Sequence, residues 1–166
     1  MFDEKAYTTL LKSMSNTYPK REDGRIDYTN ARKAAVLTIY VLYNDKILLL
    51  KRSDRVHTYK GKWNTIAGYL DELSPIEKKI HEELTEELQI TKDQIQEIKI
   101  QEYYAFHDPA IACTWIIYPV LVTLNEKPAI VLDWEHTEYQ WIDPRDIENF
   151  DTVPNASESL KRCFRI

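Results

Sequence analysis

Gly68–Ile90 reads GYLDELSPIEKKIHEELTEELQI, and this stretch decides the fold. Ile76, Ile80, Leu84 and Leu88 recur every four residues. At roughly 100° per residue they form one apolar stripe suited to dock on a core. Glu83, Glu86 and Glu87 stand at i, i+3 and i+4 and share a neighbouring face. Three carboxylates on one side repel one another. A divalent cation relieves that cost, and hard oxygen donors suit Mg²⁺ or Mn²⁺. A solvated acidic face is the plainer explanation for such a cluster taken alone. Ser74 is read as the N-cap, Pro75 as the first helical residue and Glu77 as the end of a Ser-x-x-Glu capping box. A strand ending near Ala67 feeds this helix through the turn at 69–73.

The stretch resembles the signature of the Nudix hydrolases, G-x5-E-x7-R-E-U-x-E-E-x-G-U, in which U is a bulky aliphatic residue. Gly68, Glu83, Leu84, Glu86, Glu87 and Ile90 match in register without gaps. Ser74 stands at the first Glu of that signature, Glu82 at its Arg and Gln89 at its second Gly. The family Arg partners nearby carboxylates, a role Glu82 cannot take. Lys79, one turn before Glu83, is a substitute cation. Asp71 or Glu72 could approach a metal in place of the first Glu. Gln89 gives up the residue that tolerates φ > 0, so a different exit turn is expected.

Outward from this helix, Ala34–Tyr43 (AAVLTIYVLY) is β-branched and apolar, a buried strand. Asn44-Asp45 signals a turn, and Lys46–Arg52 returns as the next strand. The loop that follows carries Arg55, His57, Lys60 and Lys62, and with Arg52 it is a candidate phosphate-facing patch. Arg52 is the preferred phosphate ligand because it ends a strand near the acidic helix. Trp63–Gly68 resembles the family's strand into the box. Downstream, Ile98–Phe106 and Ile111–Leu124 read as strands, the latter with an edge or bulge expected at Pro119. Tyr103, Tyr104 and Phe106 fall where Nudix families carry substrate-selecting aromatics, and Tyr104 is taken as a substrate-binding candidate. Ala129–Leu132 reads as a short strand. Trp134–Trp141 (WEHTEYQW) resembles the late Nudix segment E-H-x-E-x-x-W, from which a Glu joins the metal site or acts as base in several relatives. Glu135 is that candidate here, and Glu138 is read as structural. Asp143 and Asn155 read as N-caps of two closing helices, with Leu160 and Phe164 packing the last.

Residues 1–33 read as a short helix, its apolar side built from Phe2, Ala6, Leu10 and Leu11, followed by a polar arm. Residues 34–166 form a single Nudix domain in this reading. The 166 residues suffice to bury a core. A formal net charge of −5 argues against a protein that coats nucleic acid or lies on a membrane. Phosphates must therefore be met by local cations or a metal. No apolar run is long enough to span a bilayer, and the start, MFDEKAY, is unlike a signal peptide. Cys113 and Cys163 lack metal-ligand spacing, which points to a reducing, cytoplasmic setting.

The resemblance implies a Nudix-type α/β/α sandwich with a mixed β-sheet. It also implies metal-dependent hydrolysis of a diphosphate bond in a small nucleoside-diphosphate-linked substrate. Glu83, Glu86 and Glu87 are the expected Mg²⁺ or Mn²⁺ ligands. Glu83, Glu86 and Glu135 are the expected catalytic residues, with Glu86 or Glu135 accepting the proton from water. The alternative is a Nudix-fold sensor that binds a nucleotide without cleaving it. An isopentenyl-diphosphate isomerase, which shares the fold, needs a Cys on an early strand, and neither cysteine precedes the box. A homodimer stays open.

Overall fold

The computed structural model describes residues 1–164. A mixed sheet is covered on both faces by helices. Its spine is β1 (Lys33–Tyr43), joined to β2 (Lys46–Arg52) by a tight turn. Asn44 and Asp45 both adopt positive φ (49° and 61°), as a two-residue hairpin of matching twist requires. β1 runs parallel to β7 (Cys113–Leu124) over its length. Its other edge is shared between β2 and the antiparallel β4 (Ile66–Tyr69). β2 pairs with the short β3 (Trp63–Asn64) and with β8 (His136–Ile142).

The far edge of β7 is divided. β5 (Ile95–Ile100) pairs with Val120–Leu124, and β6 (Tyr104–Asp108) pairs with Cys113–Ile117. The single strand expected over Ile98–Phe106 is thus two strands. Pro119 lies opposite the break between them, in a central strand and not at an edge or bulge. Its carbonyl accepts from the Gln101 N–H at 2.9 Å. The N–H it lacks would face the same gap, so no ladder bond is lost. Ala129–Leu132 forms no strand either. Ile130 and Leu132 pack against the core from an irregular segment.

Alternation along the strands separates two cores. Ala35, Leu37, Ile39 and Val41 of β1, with Leu48 and Leu50 of β2, face α1 (Glu4–Thr17) and α2 (Ile76–Leu88). Tyr40, Ile47, Leu49 and Leu121 face α3 (Ala156–Phe164), with Leu160 and Phe164 packed there. The α/β/α sandwich follows. The four stripe residues of α2 are fully buried, each worth about 1.5–3 kcal/mol of burial. In α1 the buried face is Tyr7, Leu11 and Met14, whereas Ala6 is exposed. Tyr7 packs edge-on against Tyr118 of β7, which turns the helix one position from the expected face. The segment after α1 sends Ile26 and Tyr28 into the same core.

α2 starts one residue later than its expected cap. Pro75 is the N-cap and makes no side-chain capping bond, so the Ser74–Glu77 box does not form. At the other end Gln89 takes φ 58° and ψ 33°. Ile90 N–H donates to Leu84 O and Gln89 N–H to Thr85 O, the bonding of a glycine-type helix stop. The exit turn is therefore retained without glycine. Asp143 caps a 3₁₀ turn over Pro144–Asn149 through the Arg145 N–H. Asn155, before α3, has φ 66°.

Candidate active site

α2 lies beside β4, and the approach is set by Gly68. A Cβ on Gly68 would stand 2.5 Å from Glu83 Oε1 and 2.6 Å from its Cδ. A residue without a side chain is what lets this carboxylate sit on the strand. Glu83 is 8% exposed and Glu87 4%. Lys79, also buried, places Nζ 3.0 Å from Glu83 Oε1 and 3.8 Å from Asp71 Oδ1. Burial raises the Glu83 pKa, with Lys79 pulling it back. Burial works against the Lys79 charge, but Glu83 and Asp71 outweigh it and its pKa is raised. Lys79 thus stands as the cation beside Glu83. Glu82 instead meets Lys78 at 3.5 Å on the outer surface.

One turn on, Glu87 meets the segment before β8. Ligand atoms of Glu87, Glu135 and His136 lie within 4.8 Å of one another. Glu87 Oε2 is buried without a hydrogen-bond partner. Burial, then Glu83, Glu135 and Asp133, push the Glu87 pKa well above the ordinary carboxylate range. His136 Nδ1 lies 3.2 Å from Asp133 Oδ1, and burial lowers its pKa in spite of that carboxylate. An orphaned buried carboxylate oxygen beside another carboxylate and an imidazole is short of positive charge. This donor set fits a divalent cation of the Mg²⁺ or Mn²⁺ kind. His136 lies within the quoted WEHTEYQW segment, so the signal for it was present but was spent on Glu135.

Lys79, Glu83, Glu87 and Glu135 open into a cleft of about 420 Å³ that also includes Glu86 and Asp71, with His136 buried behind its lining. Val36, Thr38 and Tyr40, on one side of β1, line it from the sheet. Glu83, Glu86, Glu87, Glu135 and Arg52 are thereby brought together. Tyr104 is not among the lining residues. Its hydroxyl bonds Ser159 Oγ at 2.6 Å, and Arg162 lies 4.1 Å over its ring, so it packs β6 against α3.

Arg52 donates from Nε and Nη2 to Thr58 O at 3.0 and 2.8 Å, which fixes one edge of its guanidinium. The rest of the expected basic patch disperses. Lys62 pairs with Asp151 at 2.8 Å, Arg55 lies over Trp134, and His57 and Lys60 are exposed outside the cleft lining. Arg21 and Arg25 of the N-terminal segment line the cleft instead. Nothing local in the sequence ties them to the box some fifty residues later. Tyr59, Tyr69, Trp115 and Trp134 add an aromatic wall. Tyr59 takes φ 54° and is held by its hydroxyl, which donates to Asp108 Oδ2 at 2.7 Å and accepts from Trp115 Nε1 at 3.2 Å.

The family described as NUDIX domain matches residues 31–163. Among solved structures, a MutT NUDIX hydrolase from Burkholderia pseudomallei is similar at 20% identity, with a TM-score of 0.63 over 78% of this chain and 97% of that one. A MutT protein from Methanosarcina mazei Go1 is similar at 21% identity and TM-score 0.64, covering 80% and 94%. A C. elegans Ap4A hydrolase, solved as a binary complex, is similar at 23% identity and TM-score 0.58, covering 80% and 94%. At these identities the likeness is one of fold. No curated protein matches the chain.

Proposed function

The chain belongs to the NUDIX domain family, and from that premise we propose that it hydrolyses a diphosphate bond in a nucleoside-diphosphate-linked small molecule with the help of Mg²⁺ or Mn²⁺. The observation that carries this reading is the orphaned, buried Glu87 oxygen facing Glu135 and His136 in a cleft that also holds arginines. A carboxylate kept there without a partner is costly to folding. It makes sense as a ligand. In the proposed site Glu87, with Glu83, Glu86, Glu135 and His136, would hold the cation. A cation bound there supplies charge neutralisation for phosphate oxygens.

The chain's own residues do the remainder. Lys79 and Gly68 fix the Glu83 carboxylate. The Arg52 edge that Thr58 does not engage is available to a phosphate oxygen. Glu86 and Glu135 both line the cleft and can take the proton from the attacking water. The pH–rate profiles of Glu86→Gln and Glu135→Gln separate them, since loss of the base removes the acidic limb. The aromatic wall offers stacking surface for a base.

The test is turnover of a panel of nucleoside-diphosphate conjugates with Mg²⁺ and with Mn²⁺, wild type beside Glu83→Gln. Metal-dependent cleavage absent from the variant supports the hydrolase. One observation favours a second reading, a sensor that binds without cleaving: Lys79 already occupies Glu83. Thermal stabilisation by a conjugate that is never cleaved would select it.

A further inference from the structure

The N-terminal segment before the NUDIX match forms a built wall of the cleft. Lys20 and Ile26 bridge as antiparallel partners, and Arg21 N–H donates to Arg25 O at 2.8 Å. Gly24, at φ 86°, allows the turn between them, and its N–H donates to Arg21 O at 2.9 Å. Two bonds fasten this small hairpin to the segment after β4. Ile26 N–H donates to Asp71 O at 2.7 Å, and the Tyr28 hydroxyl to Leu70 O at 2.8 Å. The Tyr28 ring also stacks on Tyr69, centroids 5.5 Å apart. The hairpin backbone that carries Arg21 and Arg25, both in the cleft lining, is thereby held in place.

Their charges are differently placed. Arg25 pairs with Asp23 at 3.7 Å, and the Asp71 charge raises its pKa. Arg21 makes no ion pair among the described residues. Tyr69 feels both cations: burial raises its phenol pKa, while Arg52 and Arg21 both draw it down. Arg52, Tyr69 and the hairpin's Arg21 all line the cleft, and Tyr69 stacks on Tyr28 of that hairpin. In a chain of net charge −5, an exposed arginine that lines a cleft and makes no ion pair among the described residues is suited to meet an anion.

We propose that the 18–28 hairpin is a second phosphate subsite, in which Arg21, supported by Arg25, binds a phosphate that lies beyond the diphosphate held at the acidic helix. The inference rests on the hydrolase reading for where that diphosphate sits. It makes the preferred ligand a linear chain of three or more phosphates, as in nucleoside triphosphates and dinucleoside polyphosphates. Diphosphates with a neutral far end would be the weaker class.

Calorimetric binding of pyrophosphate and of tripolyphosphate to the full chain tests this, in EDTA and again with Mg²⁺. Neither arm depends on turnover, so a failure of the hydrolase reading does not obscure the result. Wild type is expected to prefer tripolyphosphate by about tenfold, the scale of one charge-assisted contact. Arg21→Ala should bring the ratio near one while leaving pyrophosphate affinity unchanged, and Arg21→Lys should keep much of it. Because Arg21 is exposed, its removal leaves the fold intact; an unchanged melting temperature verifies this. Arg25→Ala is read only after the same check, given its ion pair with Asp23. An equal loss for both probes, an unchanged ratio in Arg21→Ala, or no preference in wild type would overturn the proposal. If tripolyphosphate binding is lost only with Arg52, the extra phosphate sits elsewhere in the cleft and the hairpin has no such role.

Discussion

Gly68 and Lys79 carry the sharpest consequences at the scale of single residues. The atoms a Cβ at Gly68 would strike belong to the Glu83 carboxylate, the movable end of a side chain. Gly68→Ala should therefore displace Glu83 and leave the backbone in place. The expected result is a fall in kcat/KM of about 100-fold with little change in melting temperature. Lys79 is different, because it is buried among Glu83 and Asp71. Lys79→Met removes the cation from two buried carboxylates and should cost about 3 kcal/mol in denaturant unfolding. Lys79→Arg should restore part of it. The substitutions in the box, read from the sequence, raised the question of what replaces the missing Arg. Lys79 was legible as the answer because i to i+4 spacing is local. Arg21 and Arg25 were not legible, since their arrival at the cleft depends on how distant segments fold together, whereas His136 lies in the segment already marked for Glu135.

At the scale of elements, α2 was the most legible part of the chain. Its stripe at four-residue spacing specified a docked helix, and Leu84 and its fellows are fully buried. Leu84→Ala should cost about 2–5 kcal/mol, measured by urea unfolding, through lost burial and the cavity left behind. Its ends were less legible. The Ser74 box lost to Pro75 as cap, and Gln89 accepted a left-handed conformation that the sequence reading reserved for glycine. The Ala34–Arg52 hairpin followed directly from its β-branched runs and the Asn-Asp turn. The 98–106 strand failed because an apolar run resumes at Tyr103 after Gln101-Glu102, while the pairing with β7 is interrupted between Ile100 and Tyr104. β5 leaves β7 at the position where Pro119 has no N–H to offer. Ala129–Leu132 is apolar enough for a strand, yet it packs on the core without finding a partner edge. Strand pairing is a long-range choice, and composition alone does not encode it.

For the whole molecule, the proposed function would have the acidic cluster couple folding to pH and to a bound cation. Glu83 and Glu87 hold their protons to higher pH folded than unfolded, chiefly through burial. From the ordinary carboxylate range upward, the folded state then binds more protons than the unfolded state. Stability of the metal-free protein should fall as pH rises through that window. Melting in EDTA at pH 5 and pH 8 checks the sign, and added Mn²⁺ should restore stability most at pH 8, where the carboxylates need a cation. No helix among the described residues is long and apolar enough to cross a membrane. The α1 helix and the hairpin after it share the core of the NUDIX domain through Tyr7, Leu11, Ile26 and Tyr28. In the proposed function this sheet and its acidic helix assemble a metal-dependent diphosphohydrolase. Phosphorus NMR of nucleoside-diphosphate conjugates in ¹⁸O-labelled water, with Mg²⁺, tests it most directly when wild type and Glu83→Gln are run together. The account predicts ¹⁸O entering a cleaved phosphate with wild type, and none with the variant or in EDTA. Cleavage that persists in the variant and in EDTA, or no cleavage of any conjugate by wild type, would contradict it.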